Sequence, residues 1–261
     1  MKRTRLADLG AALQQLRLPR DGVAIVHSSM LRFGQIEDGL PGVLWMLRQV
    51  LGEGCTLLMP AFTLSYGRTR QWDWQASKAE TGALCEHFRR LPGTLRTLHP
   101  FHSLAVAGPL AERFAACRNL SSFGPGSPWE LLVGLDAVNL ALGTDFEGGA
   151  TFLHHAEQTA QVPYRHHKDF PGAVRGPDGQ LQAATYGMYV REIGPGHQAV
   201  NRWQPVWDDL VAAGLVRQAA VQGTPLFAMD IAPVHAWLHQ RLCAQPMYCA
   251  ERIETETATG G

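Results

Sequence analysis

Val23-Ala24-Ile25-Val26-His27-Ser28-Ser29 is an apolar run that turns polar at its last three positions. Four consecutive apolar residues, three of them β-branched, read as a strand buried on both faces. Its end carries hydroxyls, and in open α/β sheets ligands gather at the carboxyl ends of strands. Working outward, Leu6, Leu9, Leu13 and Leu16 recur at helical spacing before it, with Pro19 and Gly22 between. After it, Leu40, Val43, Leu44, Leu47 and Val50 form one helical face, and Gly52-Glu53-Gly54 turns the chain. Thr56-Leu57-Leu58-Met59 is then a second strand, ending in Pro60-Ala61-Phe62-Thr63. Alternating helices and strands predict an α/β fold in which two strand ends share one rim.

The pattern continues downstream. Ser77-Lys78-Ala79-Glu80 has the form of a capping box for a helix striped by Leu84, Phe88 and Leu91. Ser103 to Ala107 is a short strand closed by Gly108-Pro109. Gly124-Pro125-Gly126 leads to a helix start with Ser127 as N-cap, Pro128 first and Glu130 as reciprocal cap. A phosphate cradle is the other use of that glycine turn, though proline removes one donor. Ala137 to Leu142 is the next strand, Gly143 to Gly149 a glycine-rich loop, and Phe152 to Gln161 a helix that stops near Pro163. Beyond Tyr164, Pro171-Gly172 and Pro177-Asp178-Gly179 mark turns between short strands. Helices are expected at Asp208 to Gly214 and Pro233 to Leu242, and a frayed tail at Glu254 to Gly261. The expected architecture is a mixed central sheet flanked by helices, with a smaller hairpin-rich lobe. Residues 1–163 form the core, 164–230 the β-rich lobe or lid, and 231–261 a C-terminal helix on the core plus a tail.

Composition excludes whole classes of partner. The 261 residues are 46% apolar and 18% charged, enough for a sizeable core. Lys plus Arg and Asp plus Glu are 23 each, so no net field gathers nucleic acid or anionic membrane. No run of about 18 apolar residues spans a bilayer, and the first sixteen residues lack the apolar segment of a secretory signal, so a cytoplasmic location is expected. Cys55, Cys85, Cys117, Cys243 and Cys249 are scattered and form no CxxC pair, which predicts reduced thiols rather than disulfides or a zinc site.

Chemistry concentrates between Asp145 and Glu157. Thr151 is the expected N-cap of a helix that places His154 in its first turn, where the backbone dipole disfavours a second positive charge. Glu157 lies three residues on, on the same face, while Asp145 and Glu147 sit in the loop leading in. A neutral imidazole beside a carboxylate is a general base, and donors at Ser28, Ser29 and Thr63 would serve a developing oxyanion. His155 points elsewhere and reads as structural. His166 and His167 with His154 would make a metal site, but no HExxH or Cys/His spacing supports one and no metal is expected. Ser29, His154 and Asp145 supply the residue types of a hydrolase, yet Ser29 lacks the flanking glycines of a nucleophile elbow.

Six segments in this order resemble the antibiotic N-acetyltransferase family, whose best-known members are aminoglycoside 3-N-acetyltransferases. His27-Ser28-Ser29-Met30 resembles the family's HSSL segment, Met59 to Thr63 its MPTFT strand end, and Ser77 to Leu84 its SEMGAL helix start. Arg96 to Ala105 is similar to RSxHPxxSVA, Gly124 to Pro128 to GPGSP, and Thr151 to Glu157 to TxLHxAE. The resemblance implies acetyl-coenzyme A as co-substrate and direct transfer to a small-molecule amine, with His154 and Glu157 catalytic and Asp145 beside them. It implies coenzyme contacts at Ser28, Ser29, Met30, Thr63 and Ser103, and acceptor contacts at Asp145, Glu147 and Glu80. Gly149-Ala150 departs from the small polar pair common before the histidine motif, and the likeness thins beyond Tyr164. Because 166–175 is basic, a nucleotide-linked amino sugar or phosphate-bearing intermediate is a second acceptor class. A non-catalytic acyl-coenzyme A-binding protein is a third reading, and a homodimer is one candidate assembly.

Overall fold

The Val23–Ser28 run is the middle strand of a seven-stranded sheet. Thr56–Pro60 and Val138–Leu142 pair with it in parallel on either side, and every outer pairing is antiparallel, so the sheet is mixed. The computed structural model describes residues 2–255. Val23 and Ile25 enter one core with Leu58, Trp129, Phe152 and Leu238, while Ala24 and Val26 enter a second with Leu13, Leu47, Leu84 and Phe88. Helices cover both faces, which is why the strand has no polar alternation.

Three strands running the same way bring their carboxyl ends to one edge. Ser29 donates its N–H to Leu142 O at 2.8 Å, and Ala61 donates to Ser103 O at 2.8 Å. Gly143, which follows the third strand, has φ +67°, and a Cβ there would meet Ser29 O at 2.9 Å and the Phe33 ring at 2.8 Å. Only glycine meets both the left-handed backbone and the close approach.

Just beyond Tyr164 the chain forms two strands of 11 residues each, Arg165–Arg175 and Leu181–Arg191, longer than expected, and short strands follow only from Ile193 onward. Pro177-Asp178-Gly179 is the turn between them, as expected: Gln180 N–H donates to Asp178 Oδ1 and Gly179 has φ +76°. Pro171-Gly172 is not a turn but mid-strand. Gly172 is there for space, since a Cβ would meet Tyr66 Oη at 2.5 Å and Arg70 O at 2.6 Å. Gln71–Asp73 pairs along this hairpin, and Tyr66, Trp72, Phe101, Phe170, Val174 and Tyr186 form a third core beneath it. Arg217–Val221 and Thr224–Asp230, within the span read as a lobe, instead extend the large sheet next to Val138–Leu142.

Three local readings are corrected. The helix expected from Ser77 begins at Ala83, with Gly82 before it. Ser77 Oγ accepts from Asp73 N, four residues back, and the Glu80 carboxylate accepts from Ser65 N, so other partners hold both halves of the supposed capping box. Thr151 does not cap; the helix is Leu153–Thr159, entered through Phe152 without a side-chain cap. The Asp208 helix starts earlier, at Trp203–Ala212, and the C-terminal helix is Ile231–Ala244. Ser127 does cap Pro128–Gly134 by accepting from Glu130 N. Of the expected tail, Glu254 ends the Ala250–Glu254 strand, while residues 256–261 lie outside the described residues. Among the described residues, no helix is long and apolar enough to cross a membrane.

Candidate active site

Helix Leu153–Thr159 follows the loop that leaves the Val138–Leu142 strand, so His154 is carried by the element just past the rim. It is in the first helical turn. Its Nδ1 hydrogen-bonds Glu157 Oε2, one turn along the same face. The His154 side chain is 23% exposed and that of Glu157 is 0% exposed. Tyr164 Oη donates to Glu157 Oε1 at 2.7 Å. Arg165 Nε lies 3.0 Å from Oε2, an ion pair whose N–H points off the hydrogen-bond axis, with the side chain 8% exposed. Burial raises the Glu157 carboxyl, but the charge and hydrogen bond of His154, the charge of Arg165 and the Tyr164 hydroxyl outweigh it and hold the group below the usual carboxylate range. An ionised Glu157 requires a donor at His154 Nδ1, which leaves the ring's basic lone pair on Nε2. Phe123 and Trp203 flank the ring at 5.2 Å and 5.7 Å and fix its plane.

The other expected orienters do different work. Asp145 is exposed and caps Phe146–Gly149 by accepting from Gly148 N at 2.8 Å. Glu147 is exposed and accepts from Asn201 Nδ2 at 2.8 Å. His155 is buried, its Nδ1 on Phe123 O at 2.6 Å, as its structural reading requires. His166 and His167 lie on the hairpin strand, exposed to solvent.

Two cavities flank the segment 80–82. One, of 790 Å³, is lined by Ser28, Ser29, Met30, Leu31, Leu40 and Thr81 among others. Its walls are mainly apolar with hydroxyls at the strand end, and among the described residues the buried Ser28 Oγ has no hydrogen-bond partner beyond the weak donor Cys85. An orphaned hydroxyl in an apolar groove suits an acyl chain that carries a few amide groups. The second, of 530 Å³, lies between the rim and the hairpin, with Asp73, Glu80, Lys78 and Arg175 on its walls. Neither is lined by His154.

Thr63 and Ser103 do not have free hydroxyls. Arg96 is buried and donates to Ala61 O at 2.6 Å, Ser77 O at 2.6 Å, Thr63 Oγ1 at 3.1 Å and Ser103 Oγ at 3.0 Å, over the Trp72 ring. Thr63 in turn donates to Lys78 O, and Ser103, with no exposure, to Ala61 O. Both therefore brace the rim. Sequence reasoning missed Arg96, Tyr164, Arg165, Phe123 and Trp203; only Tyr164 and Arg165 carried a hint, in their closeness to the histidine helix.

His27 on the middle strand and His99 near the rim are buried, and burial lowers each to about 4. Unfolded, each returns to about 6.5. Between those values the unfolded chain binds more protons, so stability is fully present above pH 6.5 and falls as pH drops toward 4. Going from pH 7 to pH 5.5 should cost roughly 1 kcal/mol per histidine. Urea midpoints at the two values check this; equal midpoints would refute it.

The sequence model described as aminoglycoside 3-N-acetyltransferase matches residues 25–242. The chain belongs to the aminoglycoside 3-N-acetyltransferase family, a family of N-acetyltransferases. Aminoglycoside N(3)-acetyltransferase IV from Salmonella sp is 35% identical over 161 residues, covering 61% of this chain and 61% of that protein. The structure of AAC-IIIb in binary complex with CoASH superposes with TM-score 0.79 at 28% identity, covering 92% of this chain and 97% of that one. A histidine-to-alanine mutant of AAC(3)-IVa in complex with apramycin gives TM-score 0.76 at 26% identity, covering 95% and 96%.

Proposed function

We propose that this chain transfers the acetyl group of acetyl-coenzyme A to an amine of an aminoglycoside or a related amino sugar, with His154 as general base. The observation that carries the reading is the His154 imidazole, oriented through Nδ1 by a fully buried carboxylate and, among the described residues, without a hydrogen-bond partner at Nε2. A neutral amine must shed a proton as its nitrogen bonds to the thioester carbon, and this Nε2 is the group able to take it. Glu157 stabilises the imidazolium that results, and Tyr164 and Arg165 hold Glu157 in place. The apolar groove at Ser28, Ser29 and Met30 is where the coenzyme's acyl arm would lie. Asp73 and Glu80 in the second cavity would meet an ammonium of the acceptor. The family relationship supports the reaction class, and relatives solved with CoASH and with apramycin support both substrates.

The test is thiol release from acetyl-coenzyme A with a panel of aminoglycosides, neutral amino sugars and phosphorylated amino sugars. Release that depends on an aminoglycoside or neutral amino sugar is expected, together with a rise in Tm for each productive acceptor through mass action. Turnover confined to phosphorylated amino sugars would move the acceptor to the other class. Tight coenzyme binding without turnover on any amine would overturn the enzymatic reading.

A further inference from the structure

The reaction needs a donor for the oxygen of the tetrahedral intermediate, and Thr63 and Ser103 are committed to bracing the rim. His102 lies one residue before Ser103, on the same sheet edge as the Thr56–Pro60 strand end, against Phe62 at 4.7 Å. It also packs on Phe123 at 4.6 Å, the ring that flanks His154 at 5.2 Å. His102 is 8% exposed, and among the described residues nothing hydrogen-bonds its Nε2. Nε2 itself keeps contact with solvent although the residue as a whole is buried, so a ligand entering beside His154 can reach it.

The surrounding hydrogen bonds decide which nitrogen holds the proton. His99 Nε2 lies 3.2 Å from both Leu120 O and Gly187 O, two acceptors, so it is the protonated nitrogen. Its Nδ1 then accepts from His102 N at 3.4 Å. Gly187 O also accepts from Ser122 N at 3.0 Å, so both its lone pairs are engaged. The Ser122 hydroxyl therefore gives its proton to His102 Nδ1, at 2.9 Å, rather than to Gly187 O at 3.4 Å. His102 is left as the Nε2–H tautomer, a donor. Burial, then the nearby His99 and His154, hold it well below the ordinary histidine value, so it stays neutral.

We propose that His102 Nε2–H is the oxyanion donor of the acyl transfer, binding the thioester carbonyl oxygen while His154 takes the proton of the attacking amine. This rests on the acyltransferase reading above. As the amine nitrogen bonds to the carbonyl carbon, the C=O π pair moves onto oxygen, where the His102 N–H meets it. The π bond re-forms, the C–S bond breaks, and the proton held by His154 passes to the departing sulfur. A neutral imidazole donor suits this role, because it stabilises developing charge without giving up its proton.

The experiment compares wild type, His102→Phe and His102→Gln by thiol release at saturating acceptor. His102→Phe should lower kcat roughly 10²–10³-fold with little change in KM for acetyl-coenzyme A, and His102→Gln, which keeps an N–H donor, should recover part of it. The acid limb of the pH profile, which reports the base, should survive in both variants and be lost in His154→Ala. Wild-type kcat in His102→Phe overturns the proposal, and so does loss of the acid limb, which would make His102 the base. Nitrogen-15 imidazole NMR on the wild type supplies a reading independent of how the variants fold: an Nε2–H ring that stays neutral at pH 5 is expected, and an Nδ1–H tautomer refutes it. A wild type inactive on every amine overturns the acyltransferase reading and this proposal with it, whereas an active wild type with an unaffected His102→Phe removes this proposal alone.

Discussion

Replacing His154 by alanine is expected to lower kcat by ~10²–10⁴, the range of general base catalysis, while leaving the fold intact. The side chain is partly exposed at the start of a short helix, and its backbone N–H bonds Thr151 O whatever the side chain. Methyl in place of imidazole keeps that bond and removes the base. The loss should fall on kcat rather than on coenzyme KM, because the groove at Ser28 and Met30 is formed without His154. Steady-state thiol release at saturating coenzyme measures it. Turnover equal to wild type would remove His154 from the reaction, whatever the family relationship.

The second large effect is expected at Glu157. Its carboxylate has no exposure and is shared by His154, Tyr164 and Arg165. Glu157→Gln preserves the volume and removes the charge, which leaves the nearly buried Arg165 guanidinium without its counter-ion. Breaking a buried pair from one side typically costs about 3–5 kcal/mol, because the remaining charge is uncompensated. Turnover should fall too, since a neutral amide neither selects the Nε2-basic tautomer as firmly nor stabilises the imidazolium. Urea unfolding separates the two effects. Arg165→Leu placed on the Glu157→Gln background should restore part of the lost stability but none of the activity, because it removes the orphaned charge and not the need for an orienter. An unchanged urea midpoint in Glu157→Gln would show that the carboxylate contributes nothing net to folding.

Much of this was written locally. The Val23–Ser28 strand was legible because a strand buried on both faces has no polar alternation, and its polar ending marked the rim. Ser127 was legible as a cap because its partner is three residues away. The His154–Glu157 pair was legible for the same reason: one helical turn separates the two residues, and helix geometry alone brings them together.

Where the reading failed, a group other than the expected one had taken the hydrogen bond or the space. Ser77 and Glu80 have the spacing of a capping box, but Asp73 and Ser65 took their hydrogen-bonding groups. Pro171-Gly172 looks like a turn to any local rule, yet Gly172 serves the close approach of Tyr66, more than a hundred residues earlier. Thr63 and Ser103 carry hydroxyls at the right strand ends and spend them on Arg96. Sequence alone settled the Val23–Ser28 strand, the Ser127 cap and the pairing of His154 with Glu157, because strand periodicity and short-range pairs depend only on near neighbours. Tertiary structure alone decided which carboxylate is buried beneath His154, that Tyr164 and Arg165 hold it, and which hydroxyls stay free, because hydrogen-bonding capacity is finite and is allotted by contacts that no spacing along the chain records.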